Sequence, residues 1–203
     1  GIVSVYKLQS GEKFSEALCS KIKKNTTFAV CGAKISSGFY EIIEKILDTK
    51  NVKIKILEED AVLKFAGIAL SDKANELYEV PDEISGKSAA LKIGKIQSKL
   101  KQDEIVLLSK LEDVAHTTNL RGNYIENSSC FKSYLLVGKE NSTLFTNDKA
   151  ENTSAYEVKK LGDFKKILSE KVKNHKIIYE KNSVNLEIFN LIKNNGKCLS
   201  AND

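Results

Sequence analysis

The sequence predicts an α/β protein: a mixed sheet flanked by helices, arranged as two units in tandem. Three observations predict it. Apolar stripes at helical spacing alternate with short apolar or alternating runs along the chain. A hairpin-length connection, Gly138-Lys139-Glu140-Asn141-Ser142, breaks that alternation and sets one pair of strands antiparallel. Periodicity lapses between Gly67 and Ser85, with Pro81-Asp82 late in the lapse, which marks a boundary.

In order, Ile2 to Leu8 reads as a strand, and Glu12 to Lys24 as a helix with Phe14, Leu18 and Ile22 on one face. Thr27 to Cys31 is a short buried-type strand. Ser36-Ser37 is an N-cap signal for a helix through Leu47 whose stripe is Phe39, Ile42, Ile43, Ile46 and Leu47. Val52, Ile54 and Ile56 alternate as in a half-wet strand, and Glu59 to Phe65 follows as a short helix. Beyond the lapse, Ser85 is expected to cap a helix that aligns Ala89, Ile93, Ile96 and Leu100. Glu104 to Leu108 is a dry strand, Leu111 to Thr118 a helix, and Asn119 to Ser129 a polar loop. Phe131 to Val137 and Thr143 to Thr146 form the hairpin, and Tyr156 to Leu161 reads as a further strand. Asp163 to Lys173 is a helix, Lys176 to Tyr179 a strand and Val184 to Ile192 a helix; Gly196 stops it before a last strand, Lys197 to Leu199.

Composition narrows the functions. At 203 residues, 41% hydrophobic and 29% charged, the chain has the means to bury a sizeable core. The net charge of +5 is spread as lysine among glutamate and aspartate, with one arginine, Arg121. Scattered charge neutralises few phosphates, so a solvated surface is favoured over a nucleic-acid interface. The four cysteines, Cys19, Cys31, Cys130 and Cys198, are widely spaced without a C-x-x-C pair, which fits reduced thiols in a cytoplasmic protein. No run approaches the roughly 18 apolar residues of a membrane span.

Chemical motifs are sparse. Ser85-Gly86-Lys87-Ser88 looks like the tail of a phosphate-binding loop, but Pro81 stands where the pattern needs its first glycine, so a helix cap is the better reading. His116 and His175 lie far apart with no paired ligand at metal-site spacing, and Glu112 and Asp113 diverge on a helix. Cys130 and His116, fourteen residues apart, point only weakly to a nucleophile and base, and packing roles are favoured. Arg121, between Asn119 and Gly122 at a helix end, suggests a bidentate contact that lysine cannot reproduce. Carbonyls or a carboxylate of its own domain are favoured as its target over a ligand or a neighbouring domain.

One stretch is more specific. Leu111, Asp113-Val114-Ala115, Asn119-Leu120-Arg121-Gly122, Ile125, Phe131, Ser133-Tyr134 and Leu144-Phe145 follow Ser85-Gly86-Lys87-Ser88 and Leu91-Lys92-Ile93 in a fixed order. This series resembles the middle domain of the Xaa-Pro aminopeptidases (aminopeptidase P, pita-bread metallopeptidases), and the segment 12–66 is similar to the closing half of that family's first domain. The chain departs from the family at three places. His116 stands where tryptophan is usual, Asn123-Tyr124 stand in place of Ser-Asp, and Ser128-Ser129 replace Asn-Pro.

The resemblance implies creatinase N-terminal-like (RNase-H-like) folds: the end of a first domain over 1–80, a linker at 81–84 and a second domain over 85–203. It implies no catalytic residue, cofactor or metal ligand in this chain, with manganese or another divalent metal held by a catalytic domain further along. The implied partners are that domain, a second copy in a homodimer and a peptide substrate, not nucleic acid or membrane. The implied role is to shape the active-site entrance and support oligomerisation, with His116, Asn119, Arg121 and Gly122 as interdomain or substrate-side contacts. The alternative is a peptidase-like domain that binds proteins or peptides without catalysis.

Overall fold

A computed structural model describes residues 5–68, 74–123, 127–195 and 198–200. The chain folds as two compact units, 1–68 with 185–187 and 69–184 with 188–203.

The first unit holds α1 (Phe14–Lys21), β1 (Thr27–Cys31), α2 (Ser37–Asp48), β2 (Lys53–Leu57) and α3 (Ala61–Ala66). β1 and β2 pair in parallel, Thr27 opposite Lys53 through Cys31 opposite Leu57. Ser36 caps α2, its hydroxyl accepting from the Phe39 amide at 3.2 Å, and Ile43 and Leu47 bury the helix against Cys19, Val30 and Val52. Asp60 caps α3 through the amides of Val62 and Leu63, and Gly67 closes it at φ +64°.

Two expectations fail in this unit. Residues 5–8 form no strand: they pair with neither β1 nor β2, and Val5, Tyr6 and Leu8 are exposed, so alternation alone supplied no neighbour for their backbone groups. Residues 2–4 lie outside the described residues. On α1 the buried side chains are Ser15, Ala17 and Cys19, while Phe14 stays exposed and stacks on Phe39 at 5.8 Å. Small side chains turned inward let α1 pack closely. Lys50 then caps the helix end, donating to the Cys19 and Ile22 carbonyls at 2.5 and 3.3 Å.

The second unit contains β3 (Tyr78–Glu79), α4 (Asp82–Ser85), α5 (Ala89–Lys99), β4 (Glu104–Leu108), α6 (Leu111–Thr118) and β5 (Leu120–Arg121). Then come β6 (Ser133–Gly138), β7 (Ser142–Thr146), β8 (Glu157–Lys159), α7 (Phe164–Lys171), β9 (Lys176–Tyr179), α8 (Leu186–Asn195, in this unit from Ile188 on) and β10 (Cys198–Ser200). The main sheet runs β10-β9-β4-β6-β7-β8. β6 is antiparallel to β4 and β7, and the remaining neighbours are parallel, which makes the sheet mixed.

The strands alternate their cores as period two demands. Ile105, Leu107 and Leu136 point into a cluster with Phe164, Leu168 and Ile188, while Leu135, Val137 and Leu144 point into another with Ile93, Val114 and Phe131. Helices therefore cover both faces, α7 and the later turns of α8 on one, α5 and α6 on the other.

Here two details correct the sequence reading. Ser88, not Ser85, caps α5, accepting from the Leu91 amide at 3.2 Å; Gly86, at φ +76°, has already turned the chain out of α4. The start of the loop expected from Asn119 to Ser129 is the short strand β5, which pairs antiparallel with β3, Tyr78 opposite Arg121. Residues 124–126 of that loop, and Gly196 at the expected stop of the last helix, lie outside the described residues.

Candidate functional site

The residues singled out by sequence sit at one junction of the second unit. α6 ends at Asn119, which adopts the left-handed conformation (φ 59°, ψ 6°) that asparagine tolerates and β-branched residues do not. The same residue is fully buried and uses its whole amide. Its Nδ2 donates to Ser85 Oγ at 3.0 Å, to the Lys87 carbonyl at 2.9 Å and, more distantly, to Asp82 Oδ1 at 3.4 Å. Its Oδ1 accepts from Lys92 Nζ at 2.6 Å, and its carbonyl from the Val80 amide at 2.9 Å. One side chain thus ties the end of α6 to the 82–87 turn and to α5.

Lys92 Nζ also donates to the His116 carbonyl at 2.8 Å, so it closes the last turn of α6. Burial holds the Lys92 ammonium below the ordinary lysine range; the neighbouring Arg121 adds to this and Asp82 opposes it. Arg121 Nη1 donates to the Ala115 and Leu120 carbonyls at 2.5 and 2.9 Å, a contact within its own unit. Gly122 is buried and donates its amide to the Ser129 carbonyl at 3.1 Å. A Cβ there would stand 2.8 Å from both Leu77 Cδ2 and Phe131 Cβ, so only glycine fits without a shift. The His116 side chain is exposed and lines a depression with Lys87, Lys92, Lys95 and Ile96. Cys130 is buried behind Gly122.

Sequence reading named Asn119, Arg121, Gly122 and His116 but not their connection to Asp82, Ser85 and Lys92. Ser85 and Lys92 fall in a separate sequence block, 85–93, with Asp82 just before it, and only the fold joins the two. Among the described residues no group of three or more His, Cys, Asp or Glu side chains is placed to hold a metal ion. Among those residues, too, no helix is long and apolar enough to cross a membrane.

The Creatinase/Prolidase N-terminal domain family matches residues 70–203. Xaa-Pro aminopeptidase 1 of Dictyostelium discoideum is 28% identical over 152 residues, 66% of this chain and 23% of that protein. The probable Xaa-Pro aminopeptidase P of Fusarium vanettenii is 37% identical over 70 residues, 34% of this chain and 11% of that protein. The chain therefore spans less than a quarter of either relative. Among solved structures, an X-prolyl aminopeptidase from Caenorhabditis elegans, described as a cytosolic enzyme with a di-nuclear active site, aligns with a TM-score of 0.79 at 17% identity. That alignment covers 96% of this chain and 34% of the other, and at such identity the likeness is one of fold.

Proposed function

Since the chain belongs to the creatinase/prolidase N-terminal domain family, we propose that it forms the non-catalytic amino-terminal and middle region of a cytoplasmic Xaa-Pro aminopeptidase. The whole protein would remove an N-terminal residue that precedes proline, with a divalent metal, manganese among the candidates, supplying an activated hydroxide in a separate catalytic domain. The two units, 1–68 with 185–187 and 69–184 with 188–203, would be the close of a first α/β domain and a second one. Together they would shape the entrance to the catalytic domain and the homodimer.

The observation that carries this reading is how the Asn119 junction uses its polar groups. Asn119 donates and accepts entirely within the unit, and Arg121 donates to carbonyls. Groups fixed this way position backbone, which is a scaffold's work rather than that of an acid, a base or a nucleophile. The relatives named above support the choice of parent.

The test uses this chain with Mn²⁺ and a Xaa-Pro peptide, beside the whole open reading frame that encodes it. Proline-dependent release is expected from the whole protein alone. Metal-dependent cleavage by these 203 residues would overturn the reading.

A further inference from the structure

Between α5 and α6 lies a depression of about 450 Å³ whose walls include Lys87, Lys92, Lys95, Ile96 and His116. Among the described residues none of these three lysines forms an ion pair with a carboxylate, although Lys149 and Lys159 of the same unit pair with Glu76 and Glu157. Lys92 has three N–H donors and directs two of them at neutral acceptors, the His116 carbonyl and Asn119 Oδ1, which satisfy hydrogen bonds without cancelling charge. Arg121 adds a further cation nearby, and it too rests on carbonyls. Lys92 is thus held by neutral acceptors, with the Asp82 carboxylate close enough to act on its charge. Lys87 and Lys95 pair with no carboxylate among the described residues and present cationic charge that an incoming anion can meet.

The apolar surroundings indicate the kind of anion. Ile96, half-buried, lines the depression beside the lysines. A polynucleotide would need stacking rings and a longer basic track, and among the described residues no Phe, Tyr or Trp lines this depression. A peptide offers carboxylates and apolar side chains on one short segment.

We propose that the depression between α5 and α6 binds a short acidic peptide segment, with its Asp or Glu carboxylates on Lys87, Lys92 and Lys95 and an apolar side chain of the segment against Ile96. This goes beyond the aminopeptidase reading and does not require it, since the parent enzyme's chemistry plays no part.

The experiment is fluorescence polarisation with a labelled peptide of alternating Glu and Leu, against a Gln-for-Glu copy. Saturable binding is expected for the acidic peptide, weakening as salt rises, and about tenfold weaker or worse for the amide copy. Lys95→Glu and Lys87→Glu reverse exposed charges, so they preserve the fold and should each weaken binding by about tenfold. Lys166→Glu on α7 should leave binding unchanged. Amide shifts in NMR spectra should gather at residues 87–96 and 116. The proposal is overturned if the two peptides bind alike, if Lys95→Glu binds as well as the parent, or if no saturable binding is seen. A single-stranded oligonucleotide that displaces the peptide more tightly than the peptide itself binds also overturns it.

Discussion

Replacing Gly122 by alanine isolates the close approach on which the β5 corner depends. The added methyl would meet Leu77 Cδ2 and Phe131 Cβ at 2.8 Å each, and the Cys130 carbonyl at 3.4 Å. Leu77 can turn the far end of its side chain away. Phe131 cannot: its Cβ is fixed to the backbone and its ring is wholly buried against Ile93, Val114 and Leu144. Relief must come from moving backbone in a packed region, and overpacking of this kind costs about 1–3 kcal/mol. For a unit of this size that lowers Tm by roughly 3–5 °C per kcal/mol.

Gly94 supplies the control, because a Cβ there meets nothing within 4 Å and the residue lies inside α5. Gly94→Ala should stabilise by about 0.4–1 kcal/mol through helix propensity and a smaller unfolded-state entropy. Urea unfolding followed by the near-UV circular dichroism of the tyrosines gives both midpoints at comparable m. A Gly122→Ala protein as stable as the parent, or a Gly94→Ala protein equally weakened, would refute the packing argument.

Asn119→Gly keeps the left-handed backbone but removes the amide, whereas Asn119→Ala loses both. Thermal unfolding should rank them parent, then glycine, then alanine, with alanine down by about 2–4 kcal/mol, and an alanine variant as stable as the glycine one would show that the backbone conformation contributes nothing. Ser88→Ala should cost about 1 kcal/mol through the lost cap, measured by the same unfolding curve; no loss would mean that the Ser88 hydroxyl is not the cap of α5. Tyr156 is pushed up to about 12, chiefly by burial and further by Glu79. The folded state therefore holds its proton more tightly than the unfolded chain, so this stabilisation is complete below pH 10.0 and is lost as pH rises toward about 12. In alkaline unfolding Tyr156→Phe should flatten that decline, and an unchanged profile would deny Tyr156 a part in it.

Where burial and period agree, the elements are legible from the residues. β4, α6 and β9 occupy the spans that apolar runs and helical spacing define, whereas β1 keeps its span but buries only Val30. Positions that depend on distant partners are not legible. Residues 5–8 alternate like a strand, yet nothing in their own sequence names a neighbour to pair with. Phe14 outranks Ser15 and Cys19 in hydrophobicity, but close packing of α1 selects the small residues. The pairing of β3 with β5 joins residues about forty positions apart across a stretch without periodicity. Similarly, the candidate site appears in sequence as two blocks, and their union through Asn119 depends on how α5 and α6 meet.

The single amide at position 119 has an evolutionary corollary. It holds three separate stretches of chain, so none of them is free to drift alone. A descendant that exchanged this asparagine would have to find new hydrogen-bonding mates for Ser85, for the Lys87 carbonyl and for Lys92 in the same step. Mutational scans should therefore find these positions tolerant of change in concert and intolerant of change one at a time.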